Sequence, residues 1–510
     1  MNYLLLLASL GALVLYHLLS SIRRRPLPLP PGPKGLPLIG NLWDVPAEYP
    51  WITYAQWAAT YGDVFYLDTP GNPTIVINSA QAAADLFEKR SGNYSDRPNF
   101  TMLNLAGWGG FVTFMRYSNW WRKHRRMFHE YFQLRVVPAY YPIQMKATST
   151  LLQQLLQSPD GIFHHARHHA GSIIMKTVYG YDVNPNCDQF VGLVDRAAES
   201  VRITWNVGTF LVDYIPILQY LPRWFPGTQF MSLADAWKKD VEAMQEEPFI
   251  YTSQSVDNGV APPSLVFVNL AKMKNIEVSE RKTHLEVIRN TASVAFSGRL
   301  HSTVSTVLST ILAFLLYPEV QAKAQAELDA VVGHARLPNF DDRAQLPYIN
   351  AVVLEALRWN PALPMGVAHR CVKEDVYRGY HIPAGMAILL DAWCTRAILH
   401  DEKDYPNPLV FDPNRFMPGD GKEPQPEPTA AFGFGRRICP GRHLALNTMW
   451  IAIASMAATL SFSKAVDSEG RAVEPSDTYT DGFVSFPEPF KCTIKARSAQ
   501  AEALIDLAEL

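Results

Sequence analysis

The sequence predicts a mainly α-helical fold with a small β region. Apolar residues recur at helical spacing along most of the chain, and β-rich runs are few, short and bounded by Pro and Gly. A further feature points to chemistry. Cys439 sits in a glycine-bracketed loop just before a helix-like run from His443 to Ala454.

Composition sets the frame. The chain has 510 residues, 48% hydrophobic and 12% aromatic, ample for a large core. Its formal net charge is −2, so it lacks the basic footprint of a nucleic-acid binder. The cysteines are Cys187, Cys371, Cys394, Cys439 and Cys492. They are odd in number, scattered and without C-x-x-C spacing, which argues against a disulfide framework and for a reducing compartment.

The elements follow in chain order. Tyr3 to Leu19 is an apolar run about long enough to cross a bilayer, followed by Arg23-Arg24-Arg25. Basic residues after the run place the remainder on the cytosolic side. Residues 23–41 are basic and then proline-rich (Pro30-Pro31-Gly32-Pro33), which predicts a stiff, extended hinge. Val64–Asp68 and Thr74–Asn78, split by Pro70-Gly71-Asn72-Pro73, predict a β-hairpin, and Ser79 starts a helix to Glu88. Val376-Tyr377 and Tyr380–Ile382, split by Arg378-Gly379, predict a second hairpin. Gly419–Pro428 is an acidic, proline-rich loop.

The chemistry is concentrated in four short patterns. Phe432 to Gly441 reads F-x-x-G-x-R-x-C-x-G. A cysteine at a helix start has the helix dipole and free backbone N–H groups pointed at its sulfur, which stabilises a thiolate. Glu355 and Arg358 share one helix face. Trp121 and Arg125 stand one turn apart, and Phe411-Asp412-Pro413-Asn414-Arg415-Phe416 precedes the cysteine loop.

In this order, and across nearly the whole chain, these patterns resemble the cytochrome P450 family, in its membrane-anchored, microsomal fungal form used in secondary metabolism. The resemblance implies a cytochrome P450 fold enclosing a haem b, behind a single N-terminal transmembrane helix. Residues 1–22 would be the anchor, 23–41 the hinge and 42–510 the catalytic domain. Cys439 would be the axial thiolate ligand of the iron, a ligation that favours O–O cleavage. Trp121, Arg125, His369, Phe432 and Arg437 would contact the haem, mostly at its propionates. Glu355, Arg358 and Arg415 would form a buried charged triad. The implied partners are NADPH-cytochrome P450 reductase, with cytochrome b5 as an optional second donor, and an apolar small molecule. The implied location is the endoplasmic reticulum membrane, single-pass, with a cytosolic catalytic domain. A basic patch of Arg122, Lys123, Arg125, Arg126 and Arg436 would dock an acidic electron donor.

One segment departs from the family. Its oxygen-activating helix reads A/G-G-x-D/E-T-T, whereas this chain has Gly298-Arg299-Leu300-His301-Ser302-Thr303. Ser302 keeps the hydroxyl and His301 can carry protons, so Ser302, His301 and Thr303 are the candidate catalytic residues. Three readings stand open. The first is an NADPH-fed monooxygenase acting on a terpenoid or aromatic secondary metabolite. The second is a haem-thiolate isomerase, dehydratase or cyclase that needs no reductase, and the third is a non-catalytic haem binder. The pocket segments are residues 100–114, 201–211, 292–301, 364–367 and the Phe483 region, rich in apolar side chains.

Overall fold

Helices dominate because the apolar stripes are helical, and the longest of them organises the rest. The computed structural model describes residues 27–507, apart from 38, 47, 70, 186–187, 205–208, 390–391, 420 and 422. The anchor predicted at residues 1–22 lies outside this set. The longer helices include α1 (Pro50–Tyr61), α2 (Asn119–Phe132), α3 (Tyr141–Gln157), α4 (Ile162–Tyr179), α5 (Gln189–Thr204), α6 (Gln229–Asp257), α7 (Val278–Leu316), α8 (Pro347–Trp359) and α9 (Arg442–Thr459).

Helix α9 is the run foreseen after Cys439. It is buried on every side, from Leu444 through Met449, Trp450 and Ala454 to Met456, as expected of a helix without a polar face. Helix α7 packs against α4 on one flank and α9 on another. Its serines tie it to the segment near the C-terminus. Ser305 Oγ donates to the Ser485 carbonyl at 2.6 Å, and Tyr479 Oη donates to Ser309 Oγ at 3.0 Å.

The β region is small, as predicted, but wider than two hairpins. Strand β1 (Val64–Leu67) pairs antiparallel with β2 (Thr74–Ile77), in register Val64↔Ile77. β3 (His369–Arg370), β4 (Asp375–Tyr377), β5 (Tyr380–Ile382) and β6 (Ala387–Leu389) follow. β4 and β5 form the second predicted hairpin, and Arg378 takes φ 50° at its turn with Gly379 at 81°. The left-handed Arg378 is held by two bonds from Nη1 to Asp63, at 2.7 and 2.9 Å. The first sheet runs β1-β2-β6-β3, with β2 parallel to β6. β7 (Leu460–Lys464) and β8 (Cys492–Ala496) form a further pair.

One sequence expectation needs correction. The helix expected from Ser79 to Glu88 begins as such, with Ser79 capping the Ala82 N–H, but turns into a π-helix over Ala84–Lys89. The described part of the proline-rich segment lies along the β region. The Tyr66 N–H donates to the Pro31 carbonyl and the His381 N–H to the Pro28 carbonyl, both at 2.8 Å. Proline supplies acceptors without donors, so an extended proline strap can lie along a β edge.

Behind the cysteine loop lies the predicted triad. Arg358 Nε and Nη2 donate to the two oxygens of Glu355 at 2.7 and 2.8 Å, and Arg415 Nε to Glu355 Oε1 at 3.1 Å. The Asp412 N–H adds a fourth bond at 2.8 Å. Burial raises the Glu355 pKa, and the two arginines oppose that rise. All three side chains are buried. Such an array specifies the packing of α8 against the 412–415 turn more than it stabilises the fold.

Candidate active site

The cysteine loop is shaped by its backbone. The Cys439 N–H donates to the Phe432 carbonyl at 2.8 Å, closing the loop ahead of α9. Gly435 takes φ +54°, and a Cβ there would lie 1.9 Å from the Phe87 carbonyl oxygen. Only glycine allows that approach. The pattern glycine is therefore a packing requirement between this loop and the π-helical turn.

Above the loop opens a cavity of about 1030 Å³. Cys439, Phe432, Trp121, Arg125, His369 and Arg437 all line it, as do His301, Ser302 and Thr303 from α7. Every residue proposed for the site from sequence thus meets one cavity. Arg97, which sequence reasoning passed over, lines it too.

The floor carries an excess of buried and half-buried cations. Arg97 is 4% exposed, with Nε donating to the Thr113 carbonyl at 2.9 Å and Nη1 to the Ala368 carbonyl at 2.7 Å. Arg437 donates through Nε, Nη1 and Nη2 to the carbonyls of Ser95, Val112 and Met115. Burial lowers the pKa of both, to about 9 for Arg437, and each also feels a neighbouring guanidinium. Burial likewise lowers Arg125, while the Cys439 thiolate beside it opposes the shift. His369, on β3, sets Nδ1 2.6 Å from the Tyr94 carbonyl. Burial, then Arg97, hold its pKa well below the usual imidazole value.

Buried cations need anionic partners. The acid nearest this cluster is Asp96, whose Oδ2 already faces Arg116 and Arg370 at 3.7 and 3.9 Å. The cluster therefore fits a ligand bearing carboxylates, and the sulfur beneath it fits a metal. A haem answers both demands. Arg97, Arg125, Trp121, His369 and Arg437 would hold its propionates, and Cys439 its iron.

The opposite wall is α7. Ser302 Oγ donates to the Gly298 carbonyl at 3.3 Å, and Thr306 Oγ1 to the Ser302 carbonyl at 3.2 Å. Such back-bonding bends helices and leaves the hydroxyl lone pairs free. Thr303 is buried, and its Oγ1 has no hydrogen-bond partner. His301 turns its ring toward Phe486 and α5. The side chain of Arg299 lies outside the described residues.

The apolar lining includes Phe111, Phe114, Val201, Val294, Val367 and Phe483, within the segments named from sequence, and Leu363 just before one of them. A polar stretch was not foreseen: Arg167, Asp195, Glu199, Arg202 and Asp481 also line the cavity. The basic patch needs revision as well. Arg125 faces the cavity, and Arg122 and Arg436 converge on Tyr117, with Arg436 Nη1 donating to its hydroxyl at 2.7 Å. On the other side of the cysteine loop, His129, Arg135, Arg442 and His443 surround a second hollow.

A helical fold that closes a carboxylate-seeking, apolar cavity over one loop cysteine defines a haem-thiolate protein. The Cytochrome P450 family model matches residues 30–494. A cytochrome P450 monooxygenase of Armillaria gallica is 42% identical over 490 residues, covering 95% of this chain and 94% of that one. Cytochrome P450 monooxygenase 98 of Postia placenta is 40% identical, over 99% and 97% of the two chains. A tryptamine 4-monooxygenase of Psilocybe cyanescens is 39% identical, over 92% and 94%. The chain belongs to the cytochrome P450 family, and it is a haem-thiolate monooxygenase that works with a redox partner on a small molecule.

Proposed function

We propose that the protein uses O2 and NADPH-derived electrons to hydroxylate or otherwise oxidise a largely apolar small molecule, a terpenoid or an aromatic secondary metabolite. The apolar lining directly above the Cys439 loop carries this reading. The bound haem supplies dioxygen activation. The chain's residues do the rest. Phe111, Phe114, Val294, Val367 and Phe483 exclude water and orient the substrate. Ser302 offers a hydroxyl at the cavity wall, and His301 lines the same wall with one ring N–H and one acceptor nitrogen in the neutral form that burial favours.

NADPH-cytochrome P450 reductase, with cytochrome b5 as a second donor, is the proposed electron source. The basic hollow of Arg135, Arg442, His129 and His443 on the Cys439 side supports docking there. The proposed location is the endoplasmic reticulum membrane, with residues 1–22 as a single-pass anchor and the catalytic domain cytosolic. Exposed Trp43, Leu211, Ile217, Tyr220 and Trp224 support a membrane-facing side. Gly71 lies against the Tyr214 carbonyl, which puts the 211–225 segment beside the first hairpin.

The replaced acid–threonine pattern on α7 favours a second reading, an isomerase, dehydratase or cyclase without reductase. One experiment separates them. Purified protein is incubated with terpenoid and aromatic scaffolds, with and without reductase and NADPH. Product that requires both supports the monooxygenase reading, and product formed without either overturns it.

A further inference from the structure

Helices α5 and α7 face each other across one end of the cavity. Asp195, Ala198, Glu199 and Arg202 form a single stripe of α5 and line it. Glu199 and Arg202 satisfy each other through two bonds, at 2.7 and 2.6 Å. Asp195 looks across the gap instead, with Oδ1 3.8 Å from His301 Nε2. That separation is ion-pair range and too long for a direct hydrogen bond. The other ring nitrogen, Nδ1, stands 3.4 Å from the Ser297 carbonyl oxygen.

Both nitrogens therefore face acceptors. A neutral imidazole has one N–H and can answer one of them, whereas the imidazolium answers both. Burial pulls the other way and lowers the His301 pKa, with Arg167 of α4 adding to that and Asp195 opposing it. The ring meets Phe486 in an edge-type contact, 6.2 Å between centroids and 67° between planes. The His301 side chain is 19% exposed and that of Asp195 44%, so Asp195 is the more solvent-exposed member of the pair.

We propose that Asp195 is the positioning residue of His301, and that the two form a charge-matched pair replacing a lone acid at position 301. The inference rests on the monooxygenase reading. Asp195 holds the ring between α5 and α7 and links Nε2 to solvent. Nε2 takes up a proton from that side, giving the imidazolium that answers both acceptors, and releases it to water in the cavity that His301 and Ser302 both line, while Nδ1–H stays on the Ser297 carbonyl. The ring ends as it began, with one proton moved inward and no electrons transferred. The pairing also explains why an acid would serve badly at 301. Two carboxylates across the same gap disfavour each other's ionised form.

The test uses full-length holoenzyme in four forms: wild type, Asp195→Asn, His301→Asp, and the reversed pair His301→Asp with Asp195→His. Two quantities are read. The first is the titration midpoint of the His301 ring, from its 15N resonances in labelled protein. The second is product formed per NADPH consumed. Asp195→Asn should lower the midpoint by about one pH unit, the loss of one partly exposed opposite charge. His301→Asp should lower coupling about tenfold, and the reversed pair should recover most of it. An unchanged midpoint in Asp195→Asn overturns the pairing whatever the activity shows. Wild-type coupling in His301→Asp overturns it too. Product that forms without NADPH would sink the monooxygenase reading, and the ring titration would still decide the pair.

Discussion

The Arg437 guanidinium lies over the Trp121 indole, 4.5 Å from the ring centroid, while its three nitrogens reach the carbonyls of Ser95, Val112 and Met115. A planar fork is needed to stack and bond at once, and lysine has none. Arg437→Lys should therefore strip most of the haem from the purified protein, although charge is kept. The absorbance ratio of haem to protein reads this. A ratio equal to wild type would show that charge alone suffices.

Cys439→Ala should remove the axial thiolate. Among the other described cysteines, burial pushes the Cys371 and Cys492 thiols up to about 11, so neither is a ready thiolate. The reduced carbon monoxide complex should lose its thiolate-type band. Persistence of that band would reassign the ligand.

Glu355 is the shared acceptor of two buried guanidiniums and one backbone N–H. Glu355→Ala leaves Arg358 and Arg415 buried without their carboxylate, at a cost of about 3–5 kcal/mol. The variant should unfold at much lower denaturant, or fail to accumulate as folded protein. A midpoint within error of wild type would mean that water replaces the carboxylate.

Ser302 and Thr303 can be told apart. Ser302→Ala should lower product per NADPH by about tenfold or more, with peroxide rising, as for a lost proton-handling group. Thr303→Val removes a buried hydroxyl that has no partner, at nearly constant volume, so the unfolding midpoint should hold or rise. Coupling lost in Thr303→Val and kept in Ser302→Ala would exchange their roles.

Burial raises the Asp213 carboxyl to about 6, although it accepts the Met102 N–H at 2.8 Å. A carboxyl raised in the folded state stabilises below its unfolded pKa and loses that contribution as pH climbs through the folded value. Its ionised form is thus a burden at neutral pH. Two pH units correspond to about 3 kcal/mol. Because the residue is only partly enclosed, a gain of about 1 kcal/mol is the reasonable expectation for Asp213→Asn at pH 7.5. Little gain is expected at pH 4. Denaturation at both pH values checks it, and an equal effect at each would refute the titration.

What the sequence disclosed was what fixed spacing encodes. Phe432 to Gly441, Trp121 with Arg125, and Glu355 with Arg358 each lie within a helical turn or one loop, so their geometry is local. Arg97 and Asp195 were illegible for the opposite reason. Each is an ordinary charged residue until another segment folds against it, the Thr113 carbonyl for Arg97 and His301 for Asp195. Strands β3 and β6 escaped notice because runs of two or three residues carry no alternation, and the parallel pairing of β2 with β6 spans most of the chain. The odd chemistry at His301 was visible in the sequence, whereas its counterpart on α5 was not.

The β2–β6 pairing and the cation cluster also bear on how the protein is made. Thr74 aligns with Ala387, and Arg97 and Trp121 wait for His369, Arg437 and Cys439. While the ribosome is still short of residue 387, the first hairpin has no partner for its inner edge. Until residue 439 has emerged, no thiolate exists to bind iron. Long-range closure of this kind is slow, and it leaves the unfinished chain exposed to misassembly. Cofactor capture is thus expected late in synthesis, and a chain terminated before Cys439 would lack the ligand proposed for the iron.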